Sequence, residues 1–336
     1  MPDPIPLNDL RRIHAPIRTE LERAIARVLD SSWFLRGRES EAFEEEWADF
    51  CGQKYCIGCN SGTDALALAA LATNISKARV QSNTLALTAI GLHRGGAEVT
   101  IVDVAADGRI APQVEDAVPV LLFGRSMSET EAHQRLFDAA HAHGWQPPAH
   151  ATACWSFYPT KTLGALGDAG AVTTNDSTAA HHMRDLCGRD DRFRDGRQIT
   201  SRMDEIQAAV LRVKLKYLRP WIEERREIAA QYRAVLPPSV QFVANSSDDL
   251  HHLFVIRVDR RDELSSYLLS RGVETKVHFP QPLHLLPGPW NIPPGPLPMA
   301  EQWCRSILTL PCYPGLKMTE IKQAADLIAR FYEHAD

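Results

Sequence analysis

The stretch from residue 54 to residue 72 most limits what this chain can become. A short apolar run, KYCIGC (54–59), leads through Asn60-Ser61-Gly62-Thr63 straight into DALALAALA (64–72). The run suits a partly buried strand, the small polar residues suit a tight turn, and the Ala/Leu segment has strong helix propensity. Further apolar runs recur at EVTIVDV (98–104), VPVLLFG (118–124), RLFDAA (135–140) and AGAVTTND (169–176), separated by helical or turn-rich segments. That succession predicts an α/β domain with a largely parallel sheet.

Helical spacing frames this core on both sides. Leu10, Ile13, Ile17, Leu21, Ile25 and Val28 recur every three or four residues, and Phe43, Trp47 and Phe50 mark a second helix that Gly52 can end. Asp204 to Leu218 and Trp221 to Leu236 are also helical in pattern, with Pro220 marking a kink or a fresh start. HHLFVIRVD reads as a strand, RDELSSYLLSRG as a helix closed by Gly272, VETKVHF as another strand, and Thr319 to Tyr332 as a last helix. The expected division is a large domain over 1–218, with its N-terminal helical segment, and a smaller α+β domain over 219–336. LHLLPGPWNIPPGPLP is expected to be a Pro-rich loop that meets substrate or a neighbouring chain.

Charge and cysteine usage narrow the partners. With 37 Lys and Arg against 42 Asp and Glu and a formal charge of -5, no basic block suggests a grip on nucleic acid. No stretch approaches the roughly 18 apolar residues of a membrane span, and the N-terminus lacks a secretory apolar core. Seven cysteines, an odd number in a chain of 336 residues, favour thiols in a reducing cytoplasm. Cys51, Cys56 and Cys59 have no second ligand pair at metal-site spacing, so a zinc site is not expected.

Three local patterns can carry chemistry. In SFYPTKTLGALGDAGAV (156–172), Lys161 lies between a hydroxyl-rich approach and a glycine-rich exit, which lets backbone pass close to a bound group; an ordinary loop lysine is the alternative. The 60–63 turn offers N–H groups and hydroxyls at a helix start, fit for a phosphate or simply a helix cap. Asp138, after a short strand, can pair with a protonated heteroaromatic nitrogen or serve as another cap.

Taken in order, LNDLRRIHAPI, GRESEAFEEEWADFCG, CNSGTDALAL, FDAAHAHG, SFYPTKTLGALGDAGAVTTND, SRMDEIQAAVLRVKLKYL and GVETKVHFPQPLH give the chain a clear resemblance. It resembles the DegT/DnrJ/EryC1/StrS family of pyridoxal-phosphate-dependent nucleotide-sugar aminotransferases over nearly its whole length. The resemblance implies an aspartate-aminotransferase-like fold (PLP transferase fold type I) and a homodimer with sites at the subunit interface. It also implies a nucleotide-linked keto sugar as acceptor and glutamate as donor.

By motif, the resemblance makes Lys161 the Schiff-base residue, Ser156, Gly62 and Thr63 phosphate ligands, and Asp138 the partner of the pyridine nitrogen. His141 falls near the cofactor's phenolic oxygen. GTDAL with GVETKVHFPQPLHLLPG looks more like members acting at C3 of dTDP-linked 3-keto-6-deoxyhexoses than at C4; a C4-keto sugar or a keto-cyclitol is the alternative acceptor. His278, Phe279 and His284 are expected near the sugar or partner subunit, or in loop packing; Arg202 could orient an acidic donor or phosphate, or form an ion pair.

The chain departs from the pattern in several places. Leu85 stands where an aromatic usually stacks on the pyridine, keeping apolar contact without ring stacking. Thr200 replaces the asparagine expected to reach a phosphate across the dimer, shortening the reach but keeping a hydroxyl. Arg38 stands for a proline, Thr162 follows the lysine in place of asparagine, and the connections near 74–84 and 142–156 are short. A non-catalytic structural or regulatory partner on the same fold is the other reading, against which both Lys161 and Asp138 stand.

Overall fold

The computed structural model describes residues 4–111, 113–129, 131–188, 197–244 and 246–333. The N-terminal helical stripe is broken once. Helix α1 (Leu10–His14) passes through a 3-10 turn at Ala15–Ile17 into α2 (Arg18–Ser31), because Pro16 has no N–H to continue an α-helical ladder. The apolar face survives the break: Ile17, Leu21, Ala24 and Val28 are buried together with Ala209, Val210 and Val213. Helix α3 (Arg38–Phe50) follows and ends before Gly52, whose φ of +67° is the left-handed conformation that glycine adopts without strain.

Strand β1 (Tyr55–Cys59) turns directly into α4 (Gly62–Ala72), then come β2 (Lys77–Gln81), α5 (Ala86–Arg94) and β3 (Glu98–Val102). After the connector, β4 (Leu136–Asp138), β5 (Thr152–Ser156) and β6 (Gly170–Thr174) complete the strands of this half, and α6 (Ser177–Leu186) follows. The order is β1-β6-β5-β4, with β6 antiparallel to both neighbours and β4 parallel to β5; β2 and β3 form a parallel pair.

The run VPVLLFG, expected as a strand, joins these two groups without becoming one. Asp138 N–H donates to Pro119 O (3.0 Å) and Leu121 N–H to Asp138 O (3.0 Å), while Val118 N–H donates to Arg79 O (2.9 Å) on the other side. Pro119 has no N–H to add, so the ladder reduces to single parallel bridges at Ala117 and Val120. The resulting order, β1-β6-β5-β4-connector-β2-β3, is largely parallel apart from β6.

Apolar helices cover both faces of this sheet. One buried cluster joins Leu66, Leu68 and Ala69 of α4 and Met183 of α6 to Ile57, Val80 and Ile101; the other joins Phe43 and Trp47 of α3 to Trp155 and Phe157. Cys56 belongs to the second cluster and Cys59 to the first, as strand alternation requires of residues three apart; Cys51, at the end of α3, joins the second, and all seven cysteines are buried. The Pro-rich loop protects the open edge at β3: Ile101 N–H donates to Asn291 O (2.9 Å) and Asn291 N–H to Val99 O (2.8 Å).

Helix α7 (Glu205–Leu215) is followed by α8 (Leu218–Val235), with Pro220 in the first turn of α8, where its missing N–H costs no hydrogen bond. The remaining elements are β7 (Gln241–Phe242), β8 (Phe254–Arg257), α9 (Arg261–Leu269), α10 (Pro298–Ser306), β9 (Ile307–Leu310) and α11 (Met318–Glu333). β7, β8 and β9 form an antiparallel sheet whose core includes Ile228, Tyr232, Leu264 and Ile321. The expected boundary at 218/219 falls at the start of α8, which reaches both bodies: Leu218 and Ile222 pack under the large sheet, Ile228 and Tyr232 in the small core. Ile5 also belongs to the small core, so the first residues pack there.

VETKVHF is not a continuous strand. It pairs first with Ile5, through Ile5 N–H to Gly272 O (2.7 Å), and then with Thr309, through Thr309 N–H to Lys276 O (2.8 Å). Changing partner midway leaves only isolated bridges at Val273 and Lys276. No described helix is long and apolar enough to cross a membrane.

Helix α7 also holds two loops of the large domain. The Glu205 carboxylate accepts from the N–H groups of Gly37 (2.9 Å), Glu39 (2.8 Å) and Ser40 (3.1 Å), closing the N-terminus of α3, where Gly37 has no side chain to cap with. Near the other end of the helix, Lys214 is 2% exposed and donates to Gly164 O at 2.6 Å. Gly164 closes the loop that carries Lys161, whose base is the Ala165 N–H to Phe157 O bond (2.7 Å).

Replacing Lys214 by Met should keep the apolar stem but leave a buried carbonyl without a partner, a cost of about 1–3 kcal/mol. Urea unfolding should show that loss with an unchanged slope; equal stability of K214M and the parent would show that the clamp carries no weight.

Candidate active site

The end of β1, the start of α4 and the ends of β5 and β6 are pressed together so tightly that side chains are excluded. A Cβ on Gly62 would lie 2.8 Å from Ser156 Cβ, and one on Gly170 would lie 2.3 Å from the Ser61 carbonyl carbon. The turn between β1 and α4 therefore sits with its backbone against Ser156. Ser61 caps α4 by accepting from Asp64 N–H (3.1 Å), and Ser201 braces the turn from outside, accepting from Asn60 N–H (2.9 Å) and donating to the Asp64 carboxylate (2.7 Å). N–H groups at a helix start beside a serine hydroxyl suit a phosphate.

This turn borders a cavity of about 310 Å³ whose lining includes Gly62, Thr63, Leu85, Asp138, His141, Ser156, Lys161 and Phe279. Eight residues singled out in the sequence thus converge on one space. Asp138 lies at the C-terminal end of β4, and its carboxylate accepts from the Thr88 hydroxyl (2.7 Å) and Ala140 N–H (3.0 Å). Burial raises its pKa, while those two bonds and the charge of Lys161 pull the other way. Burial pushes the Lys161 amine down to about 8, with Asp138 opposing the shift. Each ion is disfavoured by burial and favoured by the other.

His141 is fixed by backbone strain. Its Nδ1 accepts from Phe123 N–H (3.2 Å), so a neutral ring carries its proton on Nε2. Phe123 holds φ +67°, a conformation uncommon for a bulky residue, and Gly124 follows at φ +80°. Burial holds the His141 pKa well below its ordinary value, with Lys161 adding to the effect. His252 packs on His141 with ring centroids 4.5 Å apart, and its Nδ1 is 3.1 Å from the Thr162 hydroxyl. The residue after Lys161 thus braces the loop against the small body.

Four expected site residues lie differently. His278 borders an adjoining chamber and is held at Nδ1 by the Thr309 hydroxyl (2.8 Å). His284 borders neither space; its Nδ1 is 2.8 Å from the Ser82 hydroxyl, behind the 82–84 turn. Thr200 is exposed and Arg202 half-buried, and neither lines the cavity of its own chain. Thr88, Phe123, Ser201 and His252 were not anticipated. A hydroxyl near Asp138 has no local sequence signal, and only Gly124 hinted at a special backbone near Phe123.

A lysine amine, a buried carboxylate, a phosphate-sized helix start and a neutral imidazole in one pocket fit pyridoxal phosphate. The sequence profile of the DegT/DnrJ/EryC1/StrS aminotransferase family matches residues 16–119 and 127–329. The dTDP-3-amino-3,4,6-trideoxy-alpha-D-glucose transaminase of Streptomyces venezuelae is 34% identical, over 99% of this chain and 97% of its own. The dTDP-3-amino-3,6-dideoxy-alpha-D-galactopyranose transaminase of Aneurinibacillus thermoaerophilus is 32% identical, over 97% and 99%. A dTDP-4-dehydro-2,3,6-trideoxy-D-glucose 4-aminotransferase from Saccharopolyspora spinosa is 29% identical, over 96% and 97%. The structure of S. venezuelae DesV in complex with a ketimine intermediate superposes with a TM-score of 0.91 at 34% identity, covering 99% of this chain and 100% of that one. The α/β architecture is accordingly that of the pyridoxal-phosphate aminotransferases, and the chain belongs to the DegT/DnrJ/EryC1/StrS aminotransferase family.

Proposed function

We propose that this enzyme moves an amino group from glutamate to the C3 ketone of a dTDP-linked 3-keto-6-deoxyhexose. The observation that carries the aminotransferase chemistry is the single cavity shared by Lys161, Asp138 and the 61–63 turn. The acceptor is read from likeness: two relatives above 30% identity are named for 3-amino sugars, against 29% for the 4-aminotransferase. When bound, pyridoxal phosphate supplies an aldehyde that takes up amines and a protonated ring that draws in electrons.

The residues divide the work. Gly62, Thr63 and Ser156 would hold the phosphate, and Leu85 would lie on the ring by apolar contact alone. Asp138 would hold the proton on the ring nitrogen, kept ionised by Thr88 and Ala140 against the cost of burial. His141 would donate from Nε2 to the phenolic oxygen, since Phe123 N–H occupies Nδ1. Lys161 would bind the aldehyde and, once displaced, carry a proton off the carbon that bears the amino group. With a pKa of about 8, roughly a tenth of its amine is neutral at pH 7, far more than for an ordinary lysine. His278 and Phe279 would border the substrate, and Arg202 would orient an acidic group. His284 would act at one remove, by holding Ser82.

The site is proposed to be completed by a second copy of the chain. Leu85, Leu87, Tyr158 and Leu166 are 43–53% exposed. Leu85, Leu87 and Tyr158 line the cavity, and a second copy would cover this apolar set while bringing its own Thr200 to the phosphate. Replacing Leu87 and Leu166 by Asp should convert a dimer to monomers in analytical ultracentrifugation; a monomeric parent protein would reject the arrangement.

For the acceptor, the pyridoxamine-loaded enzyme should convert dTDP-linked 3-keto sugars with the new amine at C3. Amination only at C4 would reject the regiochemistry, and conversion of a keto-cyclitol alone would reject the nucleotide.

A further inference from the structure

The segment 250–253, which leads into β8, is pressed against the large domain beside the cofactor cavity. Leu250 N–H donates to Gly124 O (2.6 Å) and Leu253 N–H to Phe123 O (3.1 Å), so both flanks of His252 are tied to the strained turn. The approach leaves no room for a side chain: a Cβ on Gly124 would lie 2.7 Å from His252 N and 3.1 Å from His141 O. The Arg225 guanidinium also donates to His252 O (3.1 Å). Backbone contacts on each side therefore limit where the His252 ring can go.

That ring meets supports of two groups used in the proposed chemistry. It packs on His141, with ring centroids 4.5 Å apart, and its Nδ1 lies 3.1 Å from the hydroxyl of Thr162, the residue after Lys161. Both His252 and Thr162 are buried, so water does not readily replace the contact if it is lost. His252 also borders a second chamber of about 330 Å³ that adjoins the cofactor cavity, and Lys161 and His141 line both spaces. Burial holds the His252 pKa well below its ordinary value, so the neutral ring places no second cation beside Lys161.

A lysine carries its amine on a flexible four-carbon stem, so its direction must come from the surrounding loop. Here Lys161 N–H donates to Tyr158 O (2.8 Å), Lys214 holds Gly164 O, and Thr162 is tied between them to His252. The geometry points to His252 as a positioning residue that, through Thr162 and His141, sets the approach of the Lys161 amine to the cofactor aldehyde. This rests on the aminotransferase reading of the cavity and adds a residue that acts through its neighbours. Capture joins the Lys161 nitrogen to the aldehyde carbon as a C=N bond, and the two hydrogens of the neutral amine leave with the aldehyde oxygen as water.

The test compares two ligands on the full chain freed of cofactor. Pyridoxal phosphate can be captured by Lys161, whereas pyridoxamine phosphate has an amine in place of the aldehyde and reports binding alone. His252→Phe should slow capture, followed by absorbance, about tenfold while leaving pyridoxamine phosphate affinity within about twofold. Thr162→Val should slow capture alike, and the double variant should be no slower than either single one, as expected of one shared contact. His252→Asn, whose amide can stand where Nδ1 stood, should recover most of the rate. Parent-like capture in H252F would overturn the inference. So would a parallel loss of both ligands, which marks a general packing role, or additive losses in the double variant. A parent chain that captures no pyridoxal phosphate would sink the cofactor reading and this inference together, whereas normal capture in both parent and H252F would sink this inference alone.

Discussion

The burial of Lys161 and Asp138 in one cavity is the constraint on which the rest of the site depends. Neither ion is at ease alone: burial pushes the lysine down to about 8 and the aspartate up, and each is the other's opposing charge. A cofactor with a basic ring nitrogen and an electrophilic carbon relieves both at once. Its nitrogen can take the place of the ammonium as the partner of Asp138, and its aldehyde can take up the lysine amine. The surrounding polar contacts point the same way, for Thr88 and Ala140 hold the carboxylate and Phe123 directs the proton of His141.

Placing those groups is the work of packing at some distance. The lysine loop is closed at its base by Ala165 N–H to Phe157 O, held at Gly164 by Lys214, and touched at Thr162 by His252. Arg225, buried in α8, donates to the carbonyls of His252 (3.1 Å) and Cys312, tying the histidine's backbone to the small body. The same two-body arrangement creates the second chamber, whose walls come from the N-terminal segment, the lysine loop and the small sheet. Geometry at Lys161 is therefore set in part by the packing of the two bodies against each other.

Much of this was legible in the sequence, for physical reasons that differ by element. The β1-turn-α4 unit was readable because strand, cap and helix signals are all local and agree. Lys161 and Asp138 were readable as candidates, but only the ordered motifs of the family joined them, since 22 residues and a β-strand intervene. The run 118–124 misled although its Pro119 already argued against a full ladder, and 273–279 misled because apolar pattern does not reveal a change of pairing partner. Thr88, Phe123 and Ser201 act through tertiary contacts that leave no periodicity behind. Thr162 appeared as a departure from pattern, and its contact with His252 gives that departure a physical role.

The most direct measurement is reduction of the cofactor-loaded enzyme with borohydride, followed by proteolysis and mass spectrometry of the modified peptide. The phosphopyridoxyl mass should fall on Lys161 alone, and Asp138→Asn should weaken cofactor retention without moving the modified residue. Everything here requires that one buried amine to be the point of attachment. A label on a different lysine, or none on a protein that stays folded with excess cofactor, would contradict it.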